Sequence, residues 1–473
     1  MSEPRQSIVI LSGDIAGPMA AAYLARHLPK HKYAVTVVDT GECARASWCS
    51  VAHYDLRRFN KAIGLSELDF IKTTQATFSL GDHYVGFGGD NGDFYAVYAD
   101  YGISLGGAAF YHAMAHLGRL PSLQAIENYC LPAKAARQGK FLPPDTKGRP
   151  VLSDYSYGYH FNAEAYAAQL LALSEKFGVN IVKASLVSFD TAGNHIKSLT
   201  LDNGQTLQAD LFIDASGPDA RIACQQSTRK SQMWSGWGFA KSYNSETKTP
   251  HGSLPIATKI EATNSGWTVH APLQNTTHKL VFSTATDCDA TISSGRQEQL
   301  WVGNVVTLGT AAATIEPRFG ATLRMMQLDI ERLLKLFPPQ LDDPIERSEF
   351  NRLSGETYDR LRDFQILHYK LAGTPMSMSV PESVQFKYDL FKARGRMAIL
   401  DEDHLFRDQW VSLFLGHGII PKRVDPMVIG INPDDVDDKI KGLETIIGQA
   451  TAQMPSHVDF IKRHCAAEGF AYD

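Results

Sequence analysis

Ser12, Gly13, Asp14 and Gly17 form a tight turn of small residues behind the apolar run Ile8–Leu11. Asp39 closes a second apolar run, Val35–Val38. Such residues at this spacing belong to an adenine-dinucleotide site. Glycines in a strand-to-helix turn let backbone N–H groups at the helix start approach a diphosphate. An acid about 20 residues further on, at the tip of the second strand, bonds a ribose hydroxyl. Asp39 stands at that place. The turn departs from G-x-G-x-x-G, because its three glycine positions hold Ser12, Asp14 and Gly17. Ser12 is small enough. Asp14 adds bulk and negative charge where a diphosphate should come close; in a purely structural role it would cap the following helix. His53, His83 and His270 are candidates for acid–base work near neutral pH, although a single histidine is more often a satisfied or surface group.

The elements that must position these residues follow from hydrophobic periodicity. Met19–Leu28 carries Ala, Tyr and Leu at helical spacing between the two apolar runs, which predicts a strand–turn–helix–strand unit over 7–40. Leu56, Phe59 and Ile63 share a helical face, Gly64 ends that helix and Ser66 caps the next. Residues 84–125 are rich in Gly, Tyr and Phe and read as strands and loops. Asn162–Phe177 is an amphipathic helix and Asn180–Phe189 a strand. Ile196–Leu207 is a hairpin turning at Asp202-Asn203-Gly204. Asp210–Asp214 is a buried strand running into Ala215-Ser216-Gly217, Trp234–Phe282 is strand-like, and Val302–Leu308 is a buried strand ending at Gly309. Ala321–Phe337 is a helix, and the rest is mostly helical. Strands alternating with helices, an antiparallel insertion and a helical tail predict the α/β class. The expected division is a first domain over 1–330, with an inserted sheet over about 84–300, and a helical region over 331–473.

Composition narrows the partners. The chain has 473 residues, 44% hydrophobic and 21% charged, with net charge −5. That balance gives no reason to expect nucleic acid or a membrane surface as a partner. The six cysteines contain no C-x-x-C pair, so zinc and a disulfide framework are not indicated, and reduced thiols in the cytoplasm are expected. No apolar run approaches roughly 18 residues, and no separate signal-peptide core precedes the first strand.

Segments spread over nearly the whole chain resemble the flavin-dependent tryptophan halogenase family. They include IVILSGDIAGPMAAAYLA, LRRFNKAIGLSELDFIKTTQATFSLG, YGYHFNAEAYAAQL, ADLFIDASG, GWTVHAPLQ, VGNVVTLGTAAATIEP, YDRLRDFQILHYKL and LFRDQWVSLFLGHGIIP. The resemblance implies a flavin-monooxygenase-like, Rossmann-type fold that binds FAD. Reduced flavin would come from a separate reductase, and a flavin hydroperoxide would oxidise halide to hypohalous acid. A lysine assisted by a glutamate would then direct halogenation of an aromatic substrate.

Carried over residue by residue, the resemblance assigns FAD contacts to Gly13, Ile15, Ala16, Gly17, Asp39, Ser50, Gly309 and Leu323. It assigns the halide site to Ala321 and Thr322, and the substrate chamber to Trp267, His270 and Pro272. The family's A-T-F-K-L-G is Ala76–Gly81 here, so Ser79 stands in the lysine position; Lys72 lies seven residues away. Phe319 stands in the glutamate position, as in the phenol and pyrrole branch. The G-E-[AS]-T segment aligns with Cys49-Ser50-Val51-Ala52 and lacks its glutamate; W-x-W-x-I-P has become Trp267-Thr268-Val269-His270-Ala271-Pro272. The departures fall on groups that face cofactor or substrate, which implies weakened FAD binding and impaired or altered halogenation. Partners implied are an aromatic small molecule, a flavin reductase, and a homo- or hetero-oligomer with a halogenase paralogue. A non-catalytic paralogue is the alternative. Trp234 and Trp237 could flank a cavity or serve in packing.

Overall fold

A computed structural model describes residues 5–42, 50–87, 92–145, 153–250, 252–316, 320–338, 344–404 and 407–472. The chain forms two compact units from interleaved segments. The first comprises Met1–Ala76, Phe161–Ser235 and Thr291–Asp359; the second comprises Thr77–His160, Gly236–Ala290 and Arg360–Asp473.

The first unit is built on a six-stranded sheet. Its centre is strand β1 (Gln6–Ser12), followed by helix α1 (Ala16–His27) and strand β2 (Tyr33–Asp39). β1 lies parallel between β2 and Leu211–Ala215. Asn180–Lys183 extends the sheet beyond β2, and Val305–Thr307 extends it on the other side. A parallel sheet is covered on both faces, so its strands are continuous β-branched runs. The register aligns Ser12 with both Asp39 and Ala215, and Asp214 with Thr307. The candidate dinucleotide residues therefore share the carboxyl edge, where ligands of open α/β sheets bind. The small residues Ala16, Gly17 and Ala20–Ala22 are buried, so α1 lies close on the sheet.

Two expected strands are broken. The run expected as Asn180–Phe189 forms Asn180–Lys183 in the parallel sheet and Leu186–Ala192 beside the hairpin. At the corner between them Ser185 N–H donates to Asp202 Oδ1 (3.1 Å), and Ala184 N–H donates to the Asp39 carbonyl (3.2 Å). Both pieces are strand-like, so periodicity does not register the change of sheet. Similarly, Trp301–Val302 folds back antiparallel on Val305–Thr307. Gly303 makes that turn with φ of +54°, and a Cβ there would lie 2.2 Å from the Asn194 carbonyl oxygen.

The second unit is built on a seven-stranded sheet, antiparallel except where Thr258–Thr263 runs parallel to Gly81–Val85. Asp82, Tyr84, Thr258, Ile260, Trp267, Val269, Ala271, Leu280 and Phe282 are buried and alternate with Lys259, Glu261, His270 and Lys279 on the other face. Tyr369 packs edge-on against Trp267 at 5.3 Å, and the His368 ring lies 4.9 Å from Tyr84. The helices Glu382–Arg394, Pro433–Gln453 and His457–His464 belong to this unit.

Candidate functional site

In the first unit, the backbone donors of the turn after β1 are nearly all accounted for. Gly13 and Asp14 N–H both donate to the Ala215 carbonyl, at 2.8 and 3.0 Å, and Gly17 N–H donates to the Asp14 carbonyl at 3.3 Å. Ala16 N–H donates to Asp14 Oδ1 at 2.9 Å. The other carboxylate oxygen, Oδ2, accepts from both the Thr310 N–H (2.8 Å) and the Thr310 hydroxyl (2.7 Å). Asp14 thus joins two turns of the carboxyl edge, the one after β1 and the one after Val305–Thr307. Burial pushes its pKa up to about 6, against the pull of those donors. Its side chain caps α1 from one residue before the position Ile15, which has no side-chain cap of its own.

The neighbours are shaped around this arrangement. A Cβ at Gly13 would lie 2.5 Å from the Ser216 carbonyl oxygen, and one at Gly17 would lie 2.4 Å from the Ser12 hydroxyl. At Gly309 a Cβ would lie 2.4 Å from Asp14 Oδ2. Asp39 directs Oδ1 to its own loop, accepting from Gly41 N–H at 3.0 Å. Asp214 is taken up wholly by structure: its oxygens accept from the N–H groups of Ser216, Ile222 and Ala223 at 2.8–3.1 Å and from the Ser216 hydroxyl at 2.6 Å.

A second feature of the first unit is the start of the helix Ala321–Lys335. Gly320 precedes it in the left-handed region, φ +63°, with no side-chain cap and no acid in the first turn. The Thr322 hydroxyl is buried, with no hydrogen-bond partner among the described residues. An uncapped helix start with a buried hydroxyl donor suits a small anion. Leu323 is buried beside it, and Ser50 is buried with its carbonyl accepting from Phe161 N–H at 3.0 Å. His53 Nδ1 lies 3.1 Å from Asp55 Oδ2, which also meets Arg324 Nε at 3.1 Å. Burial holds the His53 imidazole below its ordinary pKa despite Asp55. Burial would raise Asp55, but His53 and Arg324 outweigh it and keep the carboxyl below its usual range. Phe319 and Cys49, which carry the glutamate position and part of the G-E-[AS]-T segment, lie outside the described residues.

In the second unit Ser79 is fully buried. Its hydroxyl donates to the Gly81 carbonyl at 3.0 Å and accepts from Gly81 N–H at 3.4 Å, so it closes on the backbone two residues on, at the start of the next strand. Trp267 stacks on Phe282 at 5.6 Å. His270 is on the opposite face, with Nε2 3.1 Å from the Thr268 hydroxyl and 3.8 Å from Glu261. The Pro272 carbonyl accepts from the Thr77 hydroxyl at 2.6 Å. His83 is pinned by Asp93 at 2.8 Å and stacked on Tyr95 at 4.2 Å. Trp237 belongs to this unit and donates to the Ser379 carbonyl at 2.9 Å. Trp234 belongs to the first unit, fully buried.

The sequence profile of the tryptophan halogenase family matches residues 7–293 and 286–433. The chain belongs to the tryptophan halogenase family. The tryptophan 6-halogenase ThaL of Streptomyces albogriseolus is 24% identical over 97% of this chain and 98% of its own length. The tryptophan 7-halogenase KtzQ of Kutzneria sp. (strain 744) is 23% identical over 91% of this chain and 92% of its own. Among solved structures, BrvH, a flavin-dependent halogenase from Brevundimonas sp. BAL3, superposes with a TM-score of 0.89 at 26% identity, covering 97% of this chain and 99% of that one. The fold is thus the FAD-binding, Rossmann-type fold of flavin-dependent halogenases.

The family is flavin-dependent, which implies FAD as cofactor. The turn after β1 does not fit the diphosphate of FAD as it stands. The donor that should meet a phosphate oxygen, Ala16 N–H, already meets the protein's own carboxylate. Among the described residues no group of three or more His, Cys, Asp or Glu could hold a metal ion, and no helix is long and apolar enough to cross a membrane. The four described cysteines, Cys130, Cys224, Cys288 and Cys465, carry no disulfide.

Sequence reasoning did not single out Asp82, Thr258 and His160, which are buried together in the second unit. The available signal was an acid three residues past Ser79 in a strand with an otherwise aromatic and apolar inner face.

Proposed function

We propose that this member of the family does not carry out lysine-directed halogenation and holds FAD weakly, acting in the cytoplasm on an aromatic, indole-like compound by altered chemistry. The observation that carries this reading is the Asp14 carboxylate seated at the start of α1, where the cofactor's own anion belongs. Ser79 supports it, since a serine offers no ammonium and no amine to halogenate. The helix start at Ala321 and Thr322 keeps the character of a halide site, so loss of function is concentrated at the diphosphate turn and the lysine position. A second reading, a non-catalytic paralogue that partners an active halogenase or its reductase, is favoured by the same Asp14 contact.

The test supplies the purified chain with FAD, a flavin reductase, bromide and indole, and searches for halogenated product by mass spectrometry. No product is expected from the wild type, nor from Ser79→Lys, because the lysine alone does not clear the diphosphate turn. Halogenated indole from the wild type overturns the proposal. Co-elution with an active halogenase, without FAD binding, would favour the second reading.

A further inference from the structure

Thr77, Asp82, His160 and Thr258 are all at least 98% buried. They form one chain of contacts in the second unit. The Thr77 hydroxyl donates to the Pro272 carbonyl at 2.6 Å and lies 3.1 Å from His160 Nδ1. His160 Nε2 lies 3.0 Å from the Thr258 hydroxyl. Thr258 is level with Asp82 on the neighbouring strand, and its hydroxyl meets the Asp82 carboxyl. Asp82 Oδ1 has no hydrogen-bond partner among the described residues.

The protons in this chain can be counted. A carbonyl has none, so the Thr77 proton goes to Pro272. The contact between Thr77 and His160 must then be donated by Nδ1–H. With His160 neutral, Nε2 is bare and accepts the Thr258 proton. Nothing remains to bridge Thr258 and Asp82 unless Asp82 carries a proton. The one other arrangement that satisfies every contact moves this proton onto His160 and leaves the carboxyl ionised, an imidazolium and a carboxylate both out of water. Burial weighs against it on both sides, pushing Asp82 up to about 7 and His160 down to about 3. His457 is also neutral: its Nε2 accepts from Phe78 N–H at 3.2 Å, and burial lowers it to about 4. The carboxyl is therefore a neutral acid, its O–H turned to Thr258 and its other oxygen, Oδ1, a carbonyl-type acceptor left unfilled among the described residues. A buried acceptor left unfilled is costly.

We propose that Asp82 Oδ1 receives the ring N–H or O–H of an aromatic ligand bound in the second unit, with the Thr258–His160–Thr77 chain holding Asp82 as a neutral acid for that purpose. The aromatic class follows from the same buried sheet face, which carries Tyr84 and Trp267. The inference rests on the aromatic ligand of the proposed function, and it names the atom that selects among such ligands.

Indole and N-methylindole, which lacks the N–H, are the probes, titrated by calorimetry into the full-length wild type, Asp82→Asn and Asp82→Leu. One hydrogen bond to a buried acceptor predicts about tenfold tighter binding of indole than of N-methylindole to the wild type. Asp82→Asn keeps the preference, since its amide N–H₂ donates to Thr258 and its C=O replaces Oδ1. Asp82→Leu abolishes it. Infrared spectra at mildly acidic pH, below the Asp82 value of about 7, should show a protonated carboxylic acid that disappears in Asp82→Asn, independent of any ligand. No indole binding, equal affinities in the wild type, a preference that survives in Asp82→Leu or is lost in Asp82→Asn, or no acid band would each overturn the proposal. A halogenated product would defeat the proposed function and leave this affinity ratio untouched.

Discussion

Asp14→Gly is expected to raise the affinity for FAD by at least about tenfold, or ~1.4 kcal/mol. The wild-type carboxylate occupies the Ala16 and Thr310 donors, and any phosphate brought there meets a like charge. Two unit charges at 4 Å in surroundings of effective dielectric near 20 repel by about 4 kcal/mol, so tenfold is a modest demand. Glycine frees the donors and removes the charge. The cost is the cap and the bridge to Thr310, roughly 0.5–2 kcal/mol of stability. Quenching of flavin fluorescence on titration measures the affinity. Asp14→Asn separates the two contributions, because it removes the charge and keeps the bulk; an intermediate gain is expected. The sign of the pH effect is also determined. Asp14 loses its charge as pH falls through about 6, so wild-type affinity rises with acidity there, while Asp14→Asn stays flat across the same range. Tight FAD binding by the wild type at neutral pH, unchanged in Asp14→Gly, would show that the carboxylate is no obstacle.

The largest effect on stability is expected from Asp403→Ala. Lys387 Nζ lies 2.6 Å from Asp403 Oδ2, with both side chains fully buried. The ammonium also sits 4.0 Å from the Trp410 ring centroid, and the Trp410 indole N–H donates to Asp403 Oδ1 at 3.3 Å. Removing the carboxylate strands a charge in an apolar setting, which costs about 3–5 kcal/mol. The paired replacement of Lys387 by Met and Asp403 by Leu should recover most of that loss, since a buried ion pair gains little over well-packed apolar groups. The midpoint of urea unfolding reports both. A single variant as stable as the wild type would mean that water reaches the ammonium.

The sequence by itself determined the local elements. The β1–α1–β2 unit was legible because β-branched runs and a small-residue helical stripe each have their own period. So was the cap at Ser66, whose hydroxyl accepts from Asp69 N–H at 3.4 Å. The same alternation places Trp267 and His270 on opposite faces, three residues apart in one strand. The family, too, is written in the sequence, since its motifs run the length of the chain. What only the tertiary structure decided is which distant groups meet. Asp14 reads as a bulky misfit in one turn until Thr310, 296 residues on, is seen to hold it there. His160 finds Thr77 and Thr258 at separations of 83 and 98 residues, and their shared proton count exists only once the strands are paired. Periodicity reports how each segment meets water. It carries no record of the partner that a buried polar group finds when long stretches of chain close on one another, and in this protein those partners determine what the site can hold.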